Sequence, residues 1–128
     1  MAILMLPIWA ALGADPGAPV LALREGWSGF FGGTEAVFHV MLGSGQAATD
    51  YRLQWELVAD QRALAREEVA VTTEPPAPAL CEVRFALPPV KEGVVVQVTL
   101  NFAATPSTGG PAVATLSRTL WLFPTDPF

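Results

Sequence analysis

Apolar and polar residues alternate along much of the chain, and this alternation predicts β-strands. In Tyr51–Val58 the odd-numbered residues are apolar, while Arg52, Gln54 and Glu56 between them are polar or charged. Successive side chains of a strand point to opposite faces of a sheet, so the segment is expected to bury one face and expose the other. Val94–Phe102 has the same pattern, with an apolar residue at every even-numbered position.

Seven segments are interpreted as strands, and the turns between them contain many of the twelve prolines and eleven glycines. They are Val20–Arg24, Glu35–Leu42, Tyr51–Val58, Ala63–Thr72, Cys81–Leu87, Val94–Phe102 and Ala112–Phe123. Short strands at this spacing predict an all-β protein, an immunoglobulin-like or fibronectin-type antiparallel β-sandwich of about seven strands. A jelly roll or another antiparallel sandwich is the alternative.

Four segments refine this prediction. Trp55 is expected to fill the space between two sheets. Ala63–Thr72 contains helix-favouring residues, so a short helical turn competes with a strand there. The glycine-rich Gly26–Gly33 is interpreted as a loop. Leu120–Phe123 is apolar at every position, which predicts that both faces of the last strand are covered.

The first fourteen residues are uncharged and mostly apolar. They resemble a signal peptide, but no Lys or Arg precedes them, and they are shorter than the ~20 residues of a membrane-spanning helix. An ordered arm or an extra strand is the preferred interpretation. The predicted organisation is an N-terminal arm over residues 1–19, one sandwich domain over residues 20–124, and the start of a linker over residues 125–128.

Composition limits the partners of this domain. Hydrophobic residues make up 52% of the chain and charged residues only 15%, below the roughly 25% of average usage. We therefore expect much of its surface to contact something else, as in a piece of a larger protein. The net charge of −5 argues against nucleic-acid binding, which needs clustered Lys and Arg. Cys81 is alone, so an intrachain disulfide and a cysteine-based metal site are excluded.

The candidate catalytic residues do not form a motif. Glu67 and Glu68 are adjacent and point to opposite faces of a strand, and Glu25 and Glu35 flank the glycine-rich loop. All four are expected to be ordinary solvated carboxylates. His39 is the only histidine, and a lone surface histidine cannot form a triad or a metal site. The sequence therefore predicts that the isolated domain is not an enzyme and has no cofactor or metal.

Aromatic residues are the more informative candidates. Trp27, Phe30 and Phe31 lie together in the glycine-rich segment. They would plug one end of the core, dock on a neighbouring domain or stack on a sugar ring. Trp9 and Trp121 are two further candidate interface anchors.

Five segments, in this order, resemble a known family. They are Trp55–Leu57 (WEL), Ala63–Val71 (ALAREEVAV), Val83–Val90 (VRFALPPV), Val94–Phe102 (VVVQVTLNF) and Thr119–Pro124 (TLWLFP). They are similar to the immunoglobulin-like modules beside the catalytic barrel in bacterial glycoside hydrolases of the family 2 type, the β-galactosidase and β-mannosidase group. In that family the catalytic glutamates belong to the barrel, so the resemblance implies no catalytic residue in this chain.

The resemblance implies a non-catalytic structural and docking module of a larger carbohydrate-active enzyme, with neighbouring domains of the parent chain as partners. A carbohydrate-binding module and an independent surface or adhesion-type domain are the alternatives. The apolar arm also suggests a homodimer formed by strand exchange. Neither nucleic acid nor a membrane span is expected. The compartment is not determined, with a slight preference for an extracytoplasmic one.

Overall fold

The computed structural model describes residues 18–43 and 47–125, which form eight β-strands and no helix. The strands are β1 (Val20–Leu23), β2 (Gly29–Phe31), β3 (Glu35–Gly43), β4 (Thr49–Ala59), β5 (Arg62–Thr73), β6 (Ala79–Ala86), β7 (Val96–Pro106) and β8 (Ala114–Phe123). The all-β prediction is confirmed. No helix able to cross a membrane is found in the described part of the chain.

The strands form two sheets that pack face to face. One has three strands in the order β1-β3-β6, and the other has five in the order β2-β8-β7-β4-β5. Neighbouring strands are antiparallel, except that β2 runs parallel to β8. Strands β3, β4 and β7 turn alternate apolar side chains inward, and burying one Leu, Val or Phe contributes roughly 1.5–3 kcal/mol. The most deeply buried are Phe38, Leu42, Leu53, Leu57, Leu100, Leu120 and Leu122.

Trp55 is buried between the two sheets, as the sequence predicts. Its ring lies 5.4 Å from that of Phe85 on β6. Phe85 stacks on Phe38 of β3 at 6.2 Å, and Phe38 meets the edge of Phe30 on β2 at 5.7 Å. These four rings connect the middle of the five-stranded sheet, through the three-stranded sheet, to the edge strand β2.

The sequence-based loop at Gly26–Gly33 is wrong in part, because Gly29–Phe31 forms β2. The Trp121 N–H donates to the Ser28 carbonyl at 2.8 Å, and the Gly32 N–H donates to the Phe123 carbonyl at 2.9 Å. Three residues are too few to show an alternating pattern, so only the pairing with β8 identifies this strand. The competing helical turn is not formed, since Arg62–Thr73 is the strand β5.

The chain changes sheets between β1 and β2. β1 pairs with β3 in the three-stranded sheet, whereas β2 pairs with β8 in the five-stranded sheet. We call residues 24–28, which join the two strands, the crossing segment. This change of sheet sets the position of Trp27 and Phe31.

The predicted domain limits are not tested. All eight strands lie within residues 20–124. Residues 1–17, with Trp9 and most of the predicted arm, lie outside the described residues, as do residues 44–46 and 126–128. The predicted arm, its strand exchange and the linker therefore stay predictions.

Candidate functional site

Five exposed apolar side chains lie at one corner of the five-stranded sheet. Trp121 and Phe123 alternate with the buried Leu120 and Leu122, so they point to the outer face. The register places Gly29 of β2 beside Trp121. The other members of this set, which we call the aromatic corner, are Trp27, Phe31 and Val95, and all five are 40–58% exposed.

The aromatic corner is built by register across three adjacent segments. Phe31 pairs with Phe123 on the neighbouring strand, about 4.8 Å away. The Phe123 ring lies over Gly29, where an added Cβ would be 3.1 Å from the ring. Val95 directly precedes Val96, which pairs with Leu122. Trp27 precedes Ser28, whose carbonyl accepts the Trp121 N–H.

The structure separates the predicted site residues into two groups. Trp27, Phe31 and Trp121 lie at the aromatic corner, whereas Phe30 points inward and packs on Phe38. Consecutive residues of a strand face opposite ways, so Phe30 and Phe31 do not share a surface. Trp9 lies outside the described residues. Whether any of these side chains binds a ligand stays a prediction.

Phe123 and Val95 belong to the corner but were not predicted from the sequence. The available signal was the apolar run Leu120–Phe123, from which both faces were expected to be covered. The described residues cover only the inner face, since Trp121 is 45% and Phe123 40% exposed. The end of β8 therefore has an apolar outer face that these residues leave open.

A buried carboxylate in the crossing segment, that of Glu25, bonds this segment to β3 of the three-stranded sheet. Glu25 is only 6% exposed. Its Oε1 accepts the backbone N–H of His39 at 2.7 Å, and its Oε2 accepts the His39 Nδ1–H at 2.6 Å. The Arg24 N–H donates to the His39 carbonyl at 2.9 Å. The Glu25 carboxylate thus accepts a main-chain donor of β3 at the point where β1 ends.

The sequence-based prediction of a solvated carboxylate is wrong for Glu25, which is buried. His39 has a second acidic neighbour, because its Nε2 lies 3.5 Å from Glu82 Oε1. Burial raises the pKa of Glu25, but the hydrogen bonds from the backbone and ring of His39 outweigh it and leave the pKa below its usual value. Glu25 and His39 are fourteen residues apart, and the change of sheet that joins them has no local sequence signal.

Arg118 holds the same segment from β8. Its Nη1 donates to the Glu25 carbonyl and, at 3.4 Å, to the Trp27 carbonyl. Its guanidinium carbon lies 5.9 Å from the centre of the Phe38 ring, within cation–π range. Glu25 and Arg118 therefore fix the chain immediately before β2 and its exposed Phe31.

A shallow groove of about 790 Å³ crosses the outer face of the five-stranded sheet. Gln54 Nε2 donates to Glu68 at 2.8 Å, and Ser117 Oγ donates to Asn101 at 2.7 Å. These bonds pair four of the side chains that line the groove, whereas Trp55, which also lines it, is buried and its Nε1–H has no hydrogen-bond partner among the described residues. Within residues 18–43 and 47–125, no three His, Cys, Asp or Glu side chains are grouped closely enough to hold a metal ion.

These features define a two-sheet β-sandwich domain with an exposed aromatic corner. No protein-family model matches the chain, and no curated protein matches it. Among solved structures, it is similar to Spo0M, a sporulation control protein from Bacillus subtilis, with a TM-score of 0.55 and 18% identity. The similarity covers 84% of this chain and 50% of Spo0M. At this identity it shows the fold alone, and the chain spans half of that protein's length.

The resemblance to glycoside hydrolase modules is wrong. The structural similarity is to a sporulation control protein, and neither a family model nor a curated protein supports the relation to glycoside hydrolases. The segments that suggested it lie largely on half-buried strands such as β4 and β7. Burial of one face imposes that alternation on any sandwich, so it does not identify a family.

Proposed function

We propose that this domain is a non-catalytic docking module that binds a protein partner through the aromatic corner. The single observation that supports the proposal is the grouping of Trp27, Phe31, Val95, Trp121 and Phe123 on one exposed corner. Contiguous exposed apolar patches on soluble domains mark interaction sites. Trp and Tyr, with Arg, are the side chains that most often dominate the binding energy of an interface.

We infer that the sandwich is of the immunoglobulin-like type. The order β1-β3-β6 corresponds to strands A, B and E of that fold, and β8-β7-β4-β5 corresponds to G, F, C and an added C′. Trp55 then occupies strand C, where immunoglobulin domains bury a Trp. Such sandwiches bind partners through their loops and sheet edges. The aromatic corner includes the edge strand β2 and the residues that precede it.

Site-specific photocrosslinking in the natural host tests the docking proposal. A photoreactive phenylalanine derivative replaces Phe123, and in a matched control it replaces Arg52, which lies on the same sheet face but on β4. We expect a protein adduct from position 123 that the additional change Phe31→Ser strongly reduces, with no such adduct from position 52.

Three results would contradict this proposal. They are the absence of a protein adduct at position 123, equal adducts at both positions, and an adduct that Phe31→Ser leaves unchanged. Saturable binding of soluble oligosaccharides, lost in Trp121→Ser, would favour the carbohydrate-binding alternative instead.

A further inference from the structure

The strand β5 forms a long edge of the five-stranded sheet. It is last in the order β2-β8-β7-β4-β5, and β4 is the strand that pairs with it among the described residues. Its twelve residues contain no proline, so its far side presents backbone N–H and C=O groups on which another chain could add a strand. This edge lies across the sheet from β2 and the aromatic corner, so the inference does not depend on the docking function.

The side of β5 that faces the three-stranded sheet is apolar except at one position. Directly opposite residues of paired strands share a face, and alternate residues of β5 lie opposite residues of β4 that are buried between the sheets. We call these residues of β5 the inner row: Ala65, Glu67, Val69 and Val71. Glu67, opposite Trp55, is the charged member of this row.

The Glu67 carboxylate is exposed and forms no ion pair among the described residues. The neighbouring Glu68 belongs to the outer face instead, where it accepts a hydrogen bond from Gln54. Burial raises the pKa of the Cys81 thiol on β6, and the Glu67 charge raises it further. The charge of Glu67 is therefore felt on the three-stranded sheet, as its position in the inner row requires.

A strand added beyond β5 would remove water from the Glu67 carboxylate without giving it a basic partner. Burial of an unpaired charge is strongly unfavourable. Inward-pointing charges on edge strands are one of the means by which natural sheets avoid pairing with other chains. Glu67 has this position, whereas the rest of the inner row would favour pairing.

The outer face of β5 is compatible with a second copy of the same strand. Consider two copies of β5 paired antiparallel about a two-fold axis at Val69. Glu68 is then opposite Ala70, and Arg66 is opposite Thr72, so no two like charges are opposed on the outer face. The register irregularity between β4 and β5 lies near the start of β5, outside this segment. The unfavourable contact is that of Glu67 with the apolar inner row of the other copy.

We propose that Glu67 keeps the β5 edge unpaired, and that a second copy of the chain pairs with this edge, β5 against β5, once the charge is removed. Such a two-fold pair uses the edge of both copies, so association stops at a dimer.

Sedimentation equilibrium of Glu67→Val tests the proposal. Trp121→Ser is present in every chain compared, so that the aromatic corner does not dominate the association. We expect Glu67→Val to form a dimer with a dissociation constant at least tenfold lower than that of the chain with Glu67. Glu68→Val is the matched control, because it removes the same charge from the outer face, and it should leave the association unchanged. All chains should keep folded β-sheet spectra.

Hydrogen exchange locates the contact in the dimer. Amides of β5 should exchange severalfold more slowly in Glu67→Val at concentrations that favour the dimer, whereas those of β2 should not change. Unchanged association of Glu67→Val would overturn the inference, as would an equal increase in Glu68→Val. Assemblies that grow beyond a dimer, or protection confined to strands other than β5, would also contradict it.

Discussion

Glu25 is the residue on which the crossing segment most depends. Its carboxylate is buried and bonded to both the backbone and the ring of His39. Hydrogen bonds to charged groups contribute about 1.5–3 kcal/mol each, and a donor left without a partner adds a further cost. We expect Glu25→Ala to lower the free energy of unfolding by about 2–3 kcal/mol in urea titrations.

Glu35→Ala is the matched control, because Glu35 is also a glutamate with a basic partner but is exposed on the same sheet. Its change should be much smaller, since exposed ion pairs contribute little. Equal losses in the two variants would show that burial of the Glu25 carboxylate has no special effect.

The lowered pKa of Glu25 makes this contribution dependent on pH. The folded state favours the ionised carboxylate, so its contribution is complete above the unfolded pKa, near 4.5, and is lost as pH falls through the folded pKa. Arg24 and His39 lie beside its carboxylate, Arg118 donates to its main-chain carbonyl, and Glu82 lies on the far side of the His39 ring. We expect the stability difference between wild type and Glu25→Gln to shrink as pH falls from about 4.5 towards 3. Urea titrations across that range measure the stability difference, and a difference that grows on acidification would contradict the prediction.

Gly32 is required by close packing at the end of β2. A Cβ at this position would lie 2.6 Å from Val90 Cγ2 and 2.8 Å from the Pro88 carbonyl oxygen. Backbone atoms cannot move aside cheaply, and overpacking of this kind costs about 1–3 kcal/mol. Gly32→Ala should therefore destabilise the domain by that amount in thermal or urea unfolding. Gly26→Ala is the control, because no atom lies within 4 Å of its added Cβ, and its effect should be small.

At the scale of elements, the crossing segment and β2 depend on Arg118. Its guanidinium donates to two carbonyls of that segment, those of Glu25 and Trp27. In Arg118→Met these carbonyls lose their donor, and the short pairing of β2 with β8 should open more often. We expect severalfold faster hydrogen exchange of the Gly32 and Trp121 amides, measured by NMR. Arg52→Met, on the outer face of β4, should leave both rates unchanged.

Long strands could be predicted from the sequence, whereas the short strand and the hydrogen bonds between Glu25 and His39 could not. β4 and β7 each contain eleven residues, so burial of one face leaves a clear alternation. β2 contains three residues and is defined by a parallel partner about ninety positions later. Trp27, Phe31 and Trp121 could be named as candidates from their residue type, because aromatic side chains are frequent interface anchors. Their grouping with Phe123 depends on register, which the sequence does not reveal.

For the whole molecule, the aromatic corner should dominate how the isolated domain interacts with apolar surfaces. Other exposed apolar side chains, such as Leu64 on β5 and Leu80 on β6, lie on separate strands of different sheets. Scattered apolar residues are normal on protein surfaces, whereas a contiguous patch binds an apolar ligand through several side chains at once. Trp121 and Phe123 supply a central part of that patch.

Retention on a phenyl column at high salt measures this difference. The double change Trp121→Ser and Phe123→Ser should advance elution far more than Leu64→Ser with Leu80→Ser, although each pair removes two exposed apolar side chains. Both variants need folded β-sheet spectra for the comparison to hold. Equal shifts would mean that the domain presents its apolar surface evenly, and that the corner has no more affinity for a partner than the rest of the sandwich.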